Sequence, residues 1–297
     1  YTPDEVAYFV EDAGAALLVC DPAAAPALGP IAAHHGAAMQ LLDGAGEGSL
    51  ALLAAEQSGE FAAVARGRED LAAILYTSGT TGRSKGAMLT QANLLDNAQV
   101  LVEAWRFTAD DVLLHMLPIF HTHGLFVASN VSLLSRGRMI FLPGFSTDRA
   151  LHWLPQATSM MGVPTFYTRL LDDARFDRAL TGHMRLFTSG SAPLLAETHR
   201  QFEDRTGHRI LERYGMTETN MSTSNPYEGE RRAGTVGFPL PGVELKITDP
   251  ETGAELPQGT AGMIEVRGHN VLAAMPRSAN SAAMPSVASV IEYFAIV

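Results

Sequence analysis

A layered α/β fold with much parallel sheet is predicted by three features of this sequence. Short apolar runs alternate with segments whose apolar residues recur at helical spacing. Cap and stop residues flank several of the helical segments. The composition, 46% hydrophobic and 18% charged over 297 residues, supports a soluble globular chain with a substantial core.

The elements follow in order. Thr2, Pro3, Asp4 and Glu5 form a helix start: a hydroxyl cap, proline in the first turn, and acids at the positive end of the helix dipole. A chain opening at Tyr1 inside such an element leads to the expectation that upstream sequence is missing. Residues 15–20 predict a short buried strand, and 21–68 are rich in Ala, Gly and Pro without a sharp motif. The apolar stretch 71–76 predicts a strand. Thr90 then caps a helix carrying Leu94, Leu95, Ala98, Leu101, Val102 and Trp105. Residues 112–117 predict a buried strand. Residues 124–136 predict one helix closed by Gly137. A strand at 139–142 precedes a helix capped by Ser146 or Thr147 that runs through Trp153. A strand at 185–188 enters a Ser-Gly-Ser loop, a helix over 194–206 closes at Gly207, and 209–211 is a further strand. The α/β portion therefore spans 1–233. From Gly234 a β-rich subdomain follows, to residue 271. Its residues 243–248 alternate apolar and polar, 249–253 turn, and 263–266 return. Residues 272–297 lose this patterning and are expected to lie outside the fold.

Bulk properties exclude several classes. A net charge of −11 argues against a nucleic-acid surface, which needs clustered Lys and Arg. Cys20 is the only cysteine, so neither an internal disulfide nor a CxxC site exists. No apolar run reaches transmembrane length, and the acidic start is unlike a signal peptide. A cytoplasmic location is the expectation; the oligomeric state stays open.

The densest chemical signal is Tyr76-Thr77-Ser78-Gly79-Thr80-Thr81-Gly82-Arg83-Ser84-Lys85-Gly86, directly after a predicted strand. Its glycines allow close backbone approach, its hydroxyls and amides can donate to phosphate oxygens, and Lys85 adds a cation. It is not the GxxxxGK[ST] loop, because Arg83 and Ser84 separate Gly82 from Lys85. The plainer reading is a flexible link between strands. A second signal is Tyr214-Gly215-Met216-Thr217-Glu218-Thr219. Here a ring can stack on a base, a hydroxyl can reach phosphate, and a carboxylate can hold Mg²⁺ beside it. Its plainer reading is a polar loop after the strand at 209–211. His121 and His123 offer only two ligands, too few for zinc.

With Leu117-Pro118-Ile119-Phe120-His121-Thr122-His123-Gly124, Ser189-Gly190-Ser191-Ala192-Pro193-Leu194 and Gly234-Thr235-Val236-Gly237-Phe238-Pro239-Leu240-Pro241-Gly242, these segments resemble, in order, the adenylate-forming superfamily of acyl-CoA synthetases and luciferase-like enzymes. The resemblance covers roughly residues 1–271. It implies the large N-terminal domain of such an enzyme, with layered α/β sheets, a β-rich subdomain and no small C-terminal domain. It also implies ATP, Mg²⁺ and the co-substrate CoA. In that frame Thr77, Ser78, Gly79, Thr80, Thr81, Gly82 and Lys85 grip the β- and γ-phosphates. Gly190, Ser191, Ala192 and Tyr214 surround the adenine, with Gly215 and Met216 in the same nucleotide site. Thr217 contacts the α-phosphate and Glu218 holds Mg²⁺, the two forming the catalytic pair.

The stretches Met161-Gly162-Val163-Pro164-Thr165-Phe166-Tyr167-Thr168-Arg169 and Glu212-Arg213-Tyr214-Gly215-Met216-Thr217-Glu218-Thr219-Asn220-Met221 look like the malonyl-CoA synthetase branch. A dicarboxylate needs a cation for its non-reacting end, and Arg169 fits that role, with His121 lining the same pocket. Arg169 pairing with Asp172 or Asp173 along its own helix is an equal alternative. The family's ribose-binding Asp, hinge and C-terminal Lys are not recognisable beyond residue 271, which implies a fragment of the ligase. The alternatives are a ligase for another fatty or small acid, or a catalytically inactive ATP-binding remnant.

Overall fold

A computed structural model describes residues 1–77 and 84–272, and the backbone alone of 291–294. The chain divides into two units, Tyr1–Arg66 and Gly67–Val297.

In the smaller unit, helix α1 (Pro3–Ala13) opens with the expected Thr2 cap, which is reciprocal. Thr2 Oγ accepts from the Glu5 amide, and the Glu5 carboxylate accepts from the Thr2 amide. Such a cap stabilises by about 1 kcal/mol. Strand β1 (Leu17–Cys20) leads through α2 (Ala25–His34) to β2 (Ala38–Leu41), which pairs parallel to it. Helix α3 (Ser49–Ala55) follows. Val10, Ala32 and Ala37 form the buried centre, with Val6, Leu18 and Met39 packed on it. The 21–68 stretch, unmotivated in sequence, thus holds two helices and a strand.

The larger unit begins with an antiparallel ladder of β3 (Leu71–Thr77) and β4 (Lys85–Thr90). Helix α4 (Gln91–Ala104) starts at Thr90, whose hydroxyl accepts from the Asn93 amide while the Asn93 side chain accepts from the Thr90 amide. Ala98, Leu101 and Trp105 are buried as the spacing predicts, whereas Leu95 is 38% exposed. Next come β5 (Val112–His115), α5 (Ser129–Leu134), β6 (Arg138–Phe141), α6 (Thr147–Trp153), β7 (Ser159–Gly162), α7 (Pro164–Leu171), α8 (Arg178–Thr181), β8 (Leu186–Ser189) and α9 (Ala196–Thr206). Then follow β9 (Leu211–Met216), β10 (Asn220–Ser224) and β11 (Phe238–Pro239). Among the described residues the large sheet has the order β11-β10-β9-β8-β7-β5-β6. The run from β9 to β6 is parallel, and β10 and β11 add antiparallel at one edge. Strands β5, β7 and β8 are buried at every residue, as strands covered on both faces must be.

Three expectations need correction. The single helix over 124–136 is broken: His123–Ala128 is a π-turn that runs into α5. Wide turns of this kind re-aim side chains and recur at functional sites. The residue that closes it in the left-handed region is Arg136, at φ 60°, not Gly137. Gly137 instead lies where a Cβ would come within 3.0 Å of the Asp111 carbonyl oxygen. The strand expected at 209–211 instead begins at Leu211 and runs to Met216, so Tyr214, Gly215 and Met216 are strand residues rather than loop. Gly207 does close α9, at φ 80°.

The stretch from Gly234 divides. Strand β11 joins the large sheet, while β12 (Val243–Thr248) and β13 (Gly262–Gly268) pair antiparallel in a separate sheet. Within the tail expected to lie outside the fold, Ile291–Phe294 forms β14 against β13.

Candidate functional site

The parallel strands place the motif residues. After β5 the chain passes to β6 on one side, and the next strand, β7, lies on β5's other side. Ligands of open α/β sheets bind outside the carboxyl ends of strands at such a reversal. His121 and His123 follow the carboxyl end of β5. Tyr167 and Arg169 lie on α7 after β7. Gly190, Ser191 and Ala192 follow β8, and Tyr214, Gly215 and Met216 end β9. Four segments remote in sequence therefore reach one edge of the sheet.

Thr77 and Lys85 face each other at the open end of the β3–β4 ladder, where the Thr77 hydroxyl lies 3.5 Å from the Lys85 carbonyl oxygen. The ladder closes the ends of the Thr/Ser/Gly segment on each other and leaves the Lys85 side chain exposed. Ser78, Gly79, Thr80, Thr81 and Gly82 lie outside the described residues.

The turn after β8 is tightly specified. Ser191 adopts φ 67°, a left-handed conformation that is strained for a residue with a Cβ. Its hydroxyl lies 3.2 Å from His123 Nδ1. His123 is buried, its Nε2 has no partner among the described residues, and burial, with nearby Arg213, holds it well below its ordinary pKa and so neutral. Gly190 rests on the Arg213 side chain: a Cβ there would lie 2.3 Å from the guanidinium carbon. Gly190→Ala is therefore expected to destabilise the protein by about 1–3 kcal/mol, the usual range for overpacking. A urea midpoint equal to that of the parent would show that Arg213 moves aside freely.

Arg213 reaches this turn from β9 and is 3% exposed, with Nε and Nη2 unpartnered among the described residues. Burial pulls the guanidinium down to about 10. Its neighbour Glu212 points to the other face of the strand, where it meets His199 Nδ1 at 3.0 Å. Tyr167 donates its hydroxyl to the Thr188 carbonyl and packs edge-on against Phe202, with ring centroids 5.3 Å apart.

Strands β9 and β10 form a hairpin whose turn is Thr217, Glu218 and Thr219, with Asn220 at φ 48°. Asparagine tolerates that conformation better than most residues. Gly215 is required where β10 crosses, since a Cβ would sit 2.0 Å from the Asn220 carbonyl oxygen. Thr217 and Glu218 are half-buried. A set of side-chain amides, not foreseen from sequence, fastens this turn. Asn270 Nδ2 donates to the Thr219 carbonyl at 2.6 Å, and Asn220 Nδ2 donates to the Asn270 carbonyl at 3.0 Å. Asn93 Nδ2 donates to the Val271 carbonyl at 2.8 Å, and the Leu272 amide donates to the Glu218 carbonyl at 2.8 Å. Their sequence separations run to 178 residues, so no local pattern announces them.

His121 is exposed, 4.7 Å ring to ring from Phe120. Arg169 is exposed too, its guanidinium 5.9 Å from the Phe145 ring centroid. The helical pairing weighed for Arg169 is not formed among the described residues: Asp173 bonds Arg175 instead. A cleft of about 270 Å³ between α4 and residues 241–243 and 269–270 contains none of the expected site residues. No helix among the described residues is long and apolar enough to cross a membrane.

A family model described as AMP-binding enzyme matches residues 1–274. Malonate–CoA ligase of Arabidopsis thaliana is 37% identical over 276 residues, which are 86% of this chain and 45% of the relative. The crystal structure of ATP-bound MatB from Rhodopseudomonas palustris is 60% identical with a TM-score of 0.91, covering 93% of this chain and 55% of that one. A malonyl-CoA ligase ternary product complex with methylmalonyl-CoA and AMP is 38% identical with a TM-score of 0.74, over 91% of this chain and 56% of that one. The chain thus spans about half the length of the relatives it matches.

Proposed function

The chain belongs to the AMP-binding enzyme family, and from that membership we propose that it carries the nucleotide and acid sites of an ATP-dependent acid–CoA ligase whose acid is malonate. The observation that carries this reading is the gathering of the motif segments at the carboxyl ends of β5, β7, β8 and β9 beside the strand-order reversal. The malonate assignment is supported by the malonate–CoA ligase of Arabidopsis thaliana and by MatB among the similar proteins.

The residues fit the groups such a reaction needs. Glu218 is half-buried in its turn, and no hydrogen bond or ion pair engages its carboxylate among the described residues. The described residues contain no cluster of three or more metal-ligating side chains. Mg²⁺ is commonly held by one or two carboxylates together with substrate phosphates, and Glu218 offers one such carboxylate. Glu218 would hold the metal, which supplies charge neutralisation as the acid's carboxylate approaches the α-phosphorus. Thr217 donates to the α-phosphate from the same turn. Lys85 brings a cation to the terminal phosphates, and Thr77 flanks them on the opposing strand. Ser191, left-handed and with its hydroxyl 3.2 Å from His123 Nδ1, shapes the adenine edge together with Gly190, Ala192 and Tyr214. Arrangement in advance of binding is what lowers the cost of charge development.

The test is calorimetric binding of MgATP to this chain and to its Lys85→Ala, Glu218→Ala double variant. Binding that weakens at least about tenfold in the variant is expected, since two charge-assisted contacts are lost. Equal binding by both chains would remove Lys85 and Glu218 from the site, and no binding by either would remove the nucleotide assignment itself.

A further inference from the structure

One side chain that fastens the Glu218 turn keeps a polar atom unused. Asn270 is 4% exposed, and its Nδ2 donates to the Thr219 carbonyl at 2.6 Å and to the Met221 carbonyl at 3.3 Å. Carbonyl oxygens only accept, so those two bonds fix which end of the amide is nitrogen. The Oδ1 end therefore faces away from these carbonyls, and it has no partner among the described residues. A buried amide oxygen without a donor is destabilising, and such groups are rare in folded proteins.

Asn270 also lines the cleft of about 270 Å³ between α4 and residues 241–243. A Cβ on Gly268 would come within 2.5 Å of Asn270 Oδ1 and 2.8 Å of the Gly242 carbonyl oxygen. Glycine at 268 thus leaves open a space bordered by two acceptors, and Gly242 belongs to the cleft wall. The α4 wall adds carboxylates. Asp96 is already held by Arg68 through both of its oxygens, at 2.6 and 2.8 Å. Glu103 is exposed, and no hydrogen bond or ion pair engages its carboxylate among the described residues. Val100, three residues before it on the same helix face, supplies apolar surface, as do Pro241 and Val243 across the cleft. Among the described residues no Lys or Arg lines this space, and His269, its one basic group, is exposed.

We propose that this cleft binds a small organic cation, a primary ammonium group on a short aliphatic body, which donates to Asn270 Oδ1 while Glu103 balances its charge. An ammonium carries three donors and no acceptor, which is what a cleft of unpaired acceptors needs. A bare metal ion would leave most of the space unfilled, since even a water molecule takes only about 30 Å³ of liquid. The described residues also offer no cluster of three metal-ligating side chains. The aliphatic body lies over Val100, Pro241 and Val243, and its burial adds to the affinity. None of the residues expected to hold nucleotide or acid borders the cleft, so this site goes beyond the ligase reading and stands without it.

The experiment is calorimetric titration of this chain with n-butylammonium chloride at constant ionic strength, with n-butanol and tetramethylammonium chloride as controls. One saturable site with a Kd of about 1 mM or tighter is expected for butylammonium. Butanol, which has no charge, and tetramethylammonium, which has no N–H to donate, should each bind at least about tenfold more weakly. Glu103→Gln removes an exposed carboxylate and should weaken butylammonium about tenfold. Gly268→Ala fills the space in front of Asn270 Oδ1 and should abolish binding. Glu103→Gln carries the test if Gly268→Ala does not fold. The absence of saturable binding to the folded parent overturns the site. Butanol binding as tightly as butylammonium would reduce it to an apolar crevice, and tetramethylammonium binding as tightly would remove Asn270 Oδ1 from it. Undiminished binding by either folded variant would place the ammonium elsewhere, and each of these three results overturns the assignment.

Discussion

Replacing Asp111 with alanine is expected to lower the unfolding free energy of the larger unit by about 3–5 kcal/mol, the range for removing one partner of a buried ion pair. Asp111 is 4% exposed just ahead of β5. One carboxylate oxygen accepts from Arg185 Nε and from the Thr158 hydroxyl at 2.7 Å, and the other accepts from the Thr108 amide at 2.8 Å. Arg185 also donates to the Trp105 carbonyl at 2.9 Å and lies 4.6 Å from the Phe107 ring centroid. The alanine variant leaves that guanidinium without its carboxylate and frees three donors at once. Burial by itself would raise the Asp111 pKa, but the bonds from Arg185, Thr108 and Thr158 outweigh it and hold the group below the ordinary carboxylate value. The sign follows: the contribution is complete above the unfolded value of about 3.9 and is lost as pH falls through the lower folded value. Urea melts at neutral pH and near pH 3 check both statements. The parent should lose stability on acidification, the variant should lose less, and parallel pH profiles would rule out this linkage.

Phe202→Ala is expected to cost about 3–5 kcal/mol, as truncating a fully buried aromatic does. Phe202 on α9 is fully buried, with Tyr167, Phe176 and Phe187 at ring-centroid distances of 5.3, 5.6 and 5.1 Å. The cavity would open between α9 and the sheet, directly under the ring that supports Thr188 and the turn beyond it. Phe202→Leu should recover much of the loss by refilling volume. Chemical denaturation measures this, and an alanine variant within about 1 kcal/mol of the parent would mean that the helix collapses into the gap.

The parts legible in sequence were those encoded by neighbours. Thr2 and Thr90 as helix caps and Gly207 after α9 are local signals, and each does in the fold what its position says. The π-turn at His123–Ala128 was not legible, because it preserves an apolar helical pattern while shifting its backbone bonds. Strand β7 was hidden in Ser-Met-Met-Gly, a run too short and too mixed to separate from a loop. At the site, the glycine-rich and Tyr-Gly-Met-Thr-Glu segments announced themselves by composition. Arg213 did not. Nothing next to it in sequence says that its guanidinium is buried, and only the crossing of Gly190 above it shows why that glycine is there. The amides of Asn93, Asn220 and Asn270 escaped for the same reason, since each acts on backbone far along the chain.

Those amides also dictate a timetable. The parallel strands β5 to β9 are all synthesised before residue 217, so the sheet can assemble as the ribosome delivers it. The turn bearing Glu218 is different, because its fasteners at Asn270 and Leu272 emerge more than fifty residues later. Long-range contacts of this kind form slowly, after the loop entropy that separates them has been overcome. During synthesis the strands of the sheet are therefore all available while the Glu218 turn still lacks its fasteners, so the geometry of that turn is the last feature of this region that the chain can complete.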